Sequence, residues 1–311
     1  ALGDGADASV HALAMIGNDL FAGGYFSNAG GVEVNHIAKW DGAVWSALGS
    51  GMDSFVWALT VSDGDLFAGG SFTTAGGVSA NRIAKWDGSA WSSLGSGMNG
   101  DVQALTASGA NLYAGGSFTS ADGVAAMNIA KWDGSLWSGL GLGTNGQIYA
   151  MAVDGNSLYA GGTFTTAGGG SSNCIARWDG STWSSLGSGM DQRVRALAVN
   201  GGDIYAGGDF STAGGVAASH IAKWNGTSWS NLGSGTDVAV LALAADSANH
   251  LFLGGSFSMV GTTVSPFIAQ ANLPEPDVEP TVTSPTFSSV TGSAATLGGN
   301  VASDGGAEIT T

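Results

Sequence analysis

A single cysteine, four histidines and twenty-four carboxylates are what this chain of 311 residues could bring to a reaction. They do not form a working set. His11, His36, His220 and His250 are scattered without the short spacings that hold a metal. Cys174 would be a nucleophile only beside a group that stabilises its thiolate. It falls instead in a loop column that holds His36, Arg82, Asn128, His220 and Phe267 elsewhere in the chain. Neither a carboxylate pair nor a Ser-His-Asp set recurs or stands apart, so catalysis has no constellation to use. The expectation is a protein that is not an enzyme and needs no cofactor.

Binding chemistry has more to work with. One column varies freely between otherwise similar segments: His11, Trp57, Gln103, Tyr149, Arg195 and Leu241. Polar and aromatic side chains of this kind can hold a small polar ligand or a partner's loop, or can form a plain solvated rim. Just upstream lies Asp7, Asp53, Asn99, Asn145, Asp191 and Asp237. Hard cations take oxygen ligands, which makes Asp7, Asp53, Asp191 and Asp237 candidates for calcium. An Asx-turn leading into a strand explains the same column without metal. Five tryptophan pairs also recur: Trp40 and Trp45, Trp86 and Trp91, Trp132 and Trp137, Trp178 and Trp183, Trp224 and Trp229. They can form sugar platforms or core; one fixed spacing in every complete segment favours core.

The elements that must position these residues follow from self-similarity. Segments 1–46, 47–92, 93–138, 139–184 and 185–230 align without a gap, and a sixth runs over 231–273. Each contains four short apolar runs separated by turn residues, which read as four strands. In the second copy they are 56–61, 66–72, 83–86 and 91–94, the last two joined by Asp87-Gly88-Ser89-Ala90. Gly69-Gly70 permits a close backbone approach or a bulge. No run carries helical spacing.

Four antiparallel strands per 46 residues, six times over, predict an all-β, six-bladed β-propeller. The first strand of each blade is expected innermost, which places the variable column around one mouth of the central channel. The opening Ala1-Leu2-Gly3 matches the end of the fourth strand in other copies, such as Ser93-Leu94-Gly95. The sixth copy stops after its third strand. The N-terminus is therefore expected to close the last blade as its fourth strand and to seal the sheet edges.

The repeat resembles kelch-type propellers: Leu66-Phe67-Ala68-Gly69-Gly70, then Trp86-Asp87-Gly88, then Trp91. Its A-G-G-x-F and I-A-K-W-D-G-x-x-W variant resembles repeats of secreted bacterial surface proteins and of fungal cortical-landmark proteins. The resemblance covers 1–273 and implies an interaction platform at the cell surface. Oxidases of the kelch superfamily carry a copper site of Tyr, His and a Cys–Tyr cross-link, which nothing in this chain matches. The W-D-G aspartates (Asp41, Asp87, Asp133, Asp179) read as turn formers, since Asn225 and Asn272 replace them.

Lys and Arg number 8 against 24 Asp and Glu, a net charge of −16, which argues against nucleic acid and anionic membrane as partners. No stretch approaches the roughly 18 apolar residues that span a bilayer. A start at Ala1 without Met fits a processed, secreted or cell-surface protein. Residues 274–280 form a stiff acidic linker. Residues 281–311 resemble the first strands of a fibronectin- or Ig-like module, which needs roughly 100 residues. Two such strands are not stable alone. They are expected either to belong to a longer chain or to pair with other copies or surface proteins, building a filament if the contact does not close. The function expected is a structural or adhesive extracellular module; the alternative is a propeller that binds glycan or peptide at the channel mouth and at loops 33–36, 79–82 and 125–128.

Overall fold

The computed structural model describes residues 2–273, 282–291 and 294–301. Every regular element among them is a strand. Five sheets have four antiparallel strands in sequence order, and a sixth has three: six blades of a β-propeller. In the second blade the strands are Val56–Ser62, Asp65–Gly70, Ile83–Trp86 and Trp91–Ser93. The connection after Gly-Gly, read above as loop, folds into a hairpin with two residues a side, Thr74–Ala75 with Val78–Ser79. The A-G-G sequence makes this possible, because Gly76 and Gly77 both adopt the left-handed backbone the tight turn needs.

First strands of successive blades pack on one another, so they are innermost, as expected. The contact works by a knob and a bare patch. Gly69 presents no side chain where Val102 of the next blade presses in; a Cβ there would lie 2.5 Å from Val102 Cγ1. The same apposition joins Gly23 to Val56, Gly115 to Ile148, Gly161 to Val194 and Gly207 to Val240. Outward from this axis, Phe26, Phe72, Phe118, Phe164, Phe210 and Phe257 are fully buried. Farther out, the second tryptophan of each pair is packed against the first, with ring centroids 5.3–5.4 Å apart. Its indole N–H donates to the leucine carbonyl that ends the preceding blade, as in Trp91 Nε1 to Leu48 O at 2.9 Å. The pairs are thus inter-blade core with a polar latch.

The turns behave as read. Asp87 Oδ1 accepts the Ser89 and Ala90 N–H groups, at 2.8 Å each. Those bonds, Ala90 foremost, hold its carboxyl at about 2. Lysines before the first Trp reach the aspartate that opens the second strand, as in Lys39–Asp19 at 2.6 Å. About a third exposed, such pairs contribute under ~1 kcal/mol each.

The sixth blade departs from expectation. Among the described residues the sheet of Val240–Ala245, His250–Gly255 and Ile268–Asn272 is three-stranded. Leu2 nevertheless takes the place of a blade-ending leucine: it accepts the Trp45 indole N–H at 3.0 Å, as Leu48 accepts that of Trp91. Ala271 pairs with Leu251 where Trp86 pairs with Leu66, so no indole is present for a fourth strand to pack on. A cavity of about 360 Å³ takes its place, lined by Ile221, Leu232, Leu253, Val260 and Ala271.

The ring also has a seam. Gly254 holds the position of Gly69, yet a Cβ there would meet only its own blade, Ala242 at 3.6 Å. Val10, the knob that should press on it, is 44% exposed, whereas Val56, Val102, Ile148, Val194 and Val240 are at 0%. A cleft of about 570 Å³ separates the two blades, with Val10, Leu13, Leu243, Phe252 and Ile268 on its walls.

The tail contributes one antiparallel pair, Val282–Thr291 with Ala294–Val301. The linker 274–280 and the rest of the 281–311 segment lie outside the described residues.

Candidate functional site

Each first strand pairs in register with its second strand except at one position, where the pairing skips a residue. The skipped residues are His11, Trp57, Gln103, Tyr149, Arg195 and Leu241. The variable column is therefore a column of β-bulges, and a bulge re-aims its side chain out of the regular pleat. All six stand on the propeller face at which the first strands begin.

Two further columns share that face because the backbone ties them to it. The residue before each knob accepts an N–H from the residue after Gly-Gly: Tyr25 N to Ser9 O, Ser71 N to Phe55 O, Thr163 N to Gln147 O, Asp209 N to Arg193 O. A fourth column comprises His36, Arg82, Asn128, Cys174, His220 and Phe267, all in the left-handed region with φ between 62° and 71°. Their N–H and C=O groups bond back to the Phe and Gly of the second-strand end, as in Arg82 N to Phe72 O. Non-glycine residues held there are uncommon and concentrate at functional sites.

The side chains divide the mouth into two halves. Blades 1 and 2 carry an aromatic wall. Tyr25 stacks on Phe55 at 3.6 Å between centroids, and His11 lies 4.8 Å from Trp57. His36 meets Phe55 edge-on at 5.4 Å. Trp57, the one tryptophan outside the pairs, donates to Ser71 Oγ at 2.8 Å. Burial holds the His11 imidazole below its ordinary value, so it is neutral at pH 7. Blades 3 to 5 carry the polar half. Tyr149 donates to Gln147, and Arg193 and Arg195 both donate through Nε to Asp209. Bonding to Asp209 raises Arg193 further above its ordinary value.

Three side-chain polar atoms are buried without a partner among the described residues: His36 Nδ1, Arg82 Nε and Gln103 Oε1. All three belong to this mouth. Arg82 Nε comes within 3.4 Å of Asp101 Oδ1 but is not aligned for a hydrogen bond. Buried groups normally find partners, so three such atoms on one surface set the mouth apart from the rest of the propeller.

Of the residues read from sequence, His11 and Trp57 are brought into contact; Gln103, Tyr149 and Arg195 stand in their own blades around the ring. His36 and Arg82 end the loops 33–36 and 79–82 read as binding loops; Tyr25, Phe55, Arg193 and Asp209 were missed. The signal was available for the loop column, which varies between blades as freely as the bulge column does.

The carboxylates considered for calcium have another task. Asp53 Oδ1 accepts the Thr73 and Thr74 N–H groups, at 2.7 and 2.9 Å, and Oδ2 accepts the Thr73 hydroxyl. Asp7, Asp191 and Asp237 repeat this grip, as do Asn99 and Asn145. They staple the small hairpin of their own blade from some twenty residues away, which corrects the local Asx-turn reading. The Ser258 hydroxyl and the Met259 N–H hold Asp237 at about 2. Among the described residues no three His, Cys, Asp or Glu side chains group as a metal site. Cys174 is buried, and burial, followed by Asp191, pushes its thiol up, which disfavours the thiolate. No helix among the described residues is long and apolar enough to cross a membrane.

Inner bulges, outer indole latches and a glycine seat at five of the six blade junctions define a six-bladed propeller with one mouth whose side chains vary between blades. A family model described as the Rax2 C-terminal beta propeller domain matches residues 46–199, the second copy into the fifth. No protein of curated function matches the chain. Among solved structures, the chain is similar to the computationally designed Ika8 protein, with TM-score 0.56 and 20% identity over 83% of this chain and 71% of that one. It is also similar to the extracellular domain of the hybrid two component system BT4673 from B. thetaiotaomicron, with TM-score 0.58 and 11% identity. That alignment covers 90% of this chain but only 34% of the other. U3-55K gives TM-score 0.57 at 14% identity, over 82% and 76%. At these identities the likeness is one of fold.

Proposed function

We propose that the chain is a non-catalytic, extracellular adhesive module whose recognition surface is the propeller mouth. The observation that carries this reading is the convergence of all three orphaned buried polar atoms with an aromatic wall on one face. Aromatic and arginine anchors with a few placed polar groups are the make-up of binding sites. A non-catalytic role is supported by the mouth's charged groups, which bond to one another rather than to any nucleophile. An extracellular setting is supported by the likeness to BT4673, whose matching part is an extracellular domain. Trp57→Ala is expected to weaken whichever glycan or peptide the chain selects from a mixed array by about thirtyfold or more, as loss of a hot-spot aromatic does. Binding that survives unchanged would move the site elsewhere.

A second reading concerns 281–311, taken as the opening of a fibronectin- or Ig-like module that joins copies or surface proteins into a filament. It is favoured by the two-stranded sheet there, in which each strand has one edge unpaired within the sheet. Truncation after Leu273 is expected to leave a monomeric propeller and to abolish larger species seen with the full chain in sedimentation. Identical sedimentation of the two would end this reading.

A further inference from the structure

Five of the eight basic residues precede a Trp on third strands; the other three, Arg82, Arg193 and Arg195, all stand on the mouth. With Asp101 beside Arg82 and Asp209 shared by Arg193 and Arg195, these five groups carry a net charge of +1 in a chain of net charge −16. Asp209 takes Arg193 and Arg195 through their Nε atoms. Tyr149 also bonds to Arg193, and among the described residues no hydrogen bond engages the Nη groups of Arg195. A guanidinium anchored at Nε presents its remaining N–H groups as a planar fork, matched to a carboxylate.

The orphaned atoms narrow the ligand further. Gln103 Oε1 lacks a donor and Arg82 Nε has only Asp101 Oδ1 at 3.4 Å, so groups that both give and take hydrogen bonds suit this side of the mouth. Hydroxyl groups do both. Blade 5 faces blade 2 across a six-fold ring, which sets the arginine fork opposite Trp57 and Phe55. Such rings offer an apolar platform to the C–H face of a sugar. A carboxylate, several hydroxyls and an apolar face together describe a hexuronic acid.

We propose, resting on the mouth reading above, that the ligand is an acidic oligosaccharide whose ring carboxylate is held by Arg195 and Arg193 while a neighbouring sugar lies on Trp57. The test is calorimetric titration of the full chain with a short oligogalacturonate and with its methyl ester, which keeps the hydroxyls and loses the charge. The acid is expected to bind about tenfold or more tightly than the ester, the scale of a charge-assisted bidentate contact. Arg195→Gln should abolish that preference, with Arg193→Gln as the second variant if the first melts early. Equal binding of acid and ester would overturn the carboxylate assignment and leave the mouth reading intact. If neither binds while a peptide does so in a Trp57-dependent manner, the ligand is a peptide and the sugar proposal fails. If no ligand depends on Trp57, both readings fail together.

Discussion

Replacing Trp137 with alanine is expected to lower stability by ~3–5 kcal/mol, read by urea denaturation. The indole is 4% exposed and packs on Trp132 at 5.4 Å. Its N–H donates to Leu94 O at 3.0 Å, across the boundary between blades. Alanine at 137 leaves a cavity at an interface and removes the polar latch in one step. The half-buried Trp132 should cost about half as much when truncated. A Trp137→Ala change under ~1 kcal/mol would mean that the pair is not core, and would return the tryptophans to the sugar-platform reading.

Gly69→Ala and Gly254→Ala are expected to differ in sign although they are the same substitution at the same column. Neither glycine has a positive φ, so the backbone accepts alanine at both. At Gly69 the new methyl would lie 2.5 Å from Val102 Cγ1 and 3.2 Å from Leu105 Cδ1. Val102 is fully buried and has nowhere to retreat, so overpacking should cost ~1–3 kcal/mol or more. At Gly254 the nearest atom is Ala242 Cβ at 3.6 Å, an ordinary contact. There the lower backbone entropy of alanine should stabilise by ~0.5–1 kcal/mol. Equal penalties at the two sites would show that the sixth blade presses on the first in solution.

The repeat made most of the fold legible. Strand order, the innermost first strand, the turn aspartates and the indole pairs all follow from residues that recur because every blade needs them. What the sequence hid lies where a residue departs from its column. Ala271 in place of Trp reads as a small change, yet it removes the indole on which a fourth strand packs and leaves a cavity in the sixth blade. The bulge column was found because its variation was noticed beside the conserved knob. The wall and the arginine pair needed two more columns, and those are brought alongside by the skipped register and by a left-handed residue. Arg, Cys and Phe carry no sequence mark for that conformation; His36, Asn128 and His220 belong to types enriched in it.

The seam between blades 1 and 6 alters the way the molecule comes apart. In a closed ring, releasing any one blade ruptures two interfaces, and no blade is more vulnerable than another. A ring cut at one place is a stack with two ends. Its terminal blades are each held by a single Gly-and-knob contact, whereas blades 2 to 5 are held by two. Nearest-neighbour stacks of this kind fray from their ends. Opening should therefore start beside the cleft and travel around the axis toward blades 3 and 4. Blade 1 brings half of the aromatic wall, so the mouth borders the least durable part of the ring, and an occupant spanning blades 2 and 5 would tie the sounder blades together.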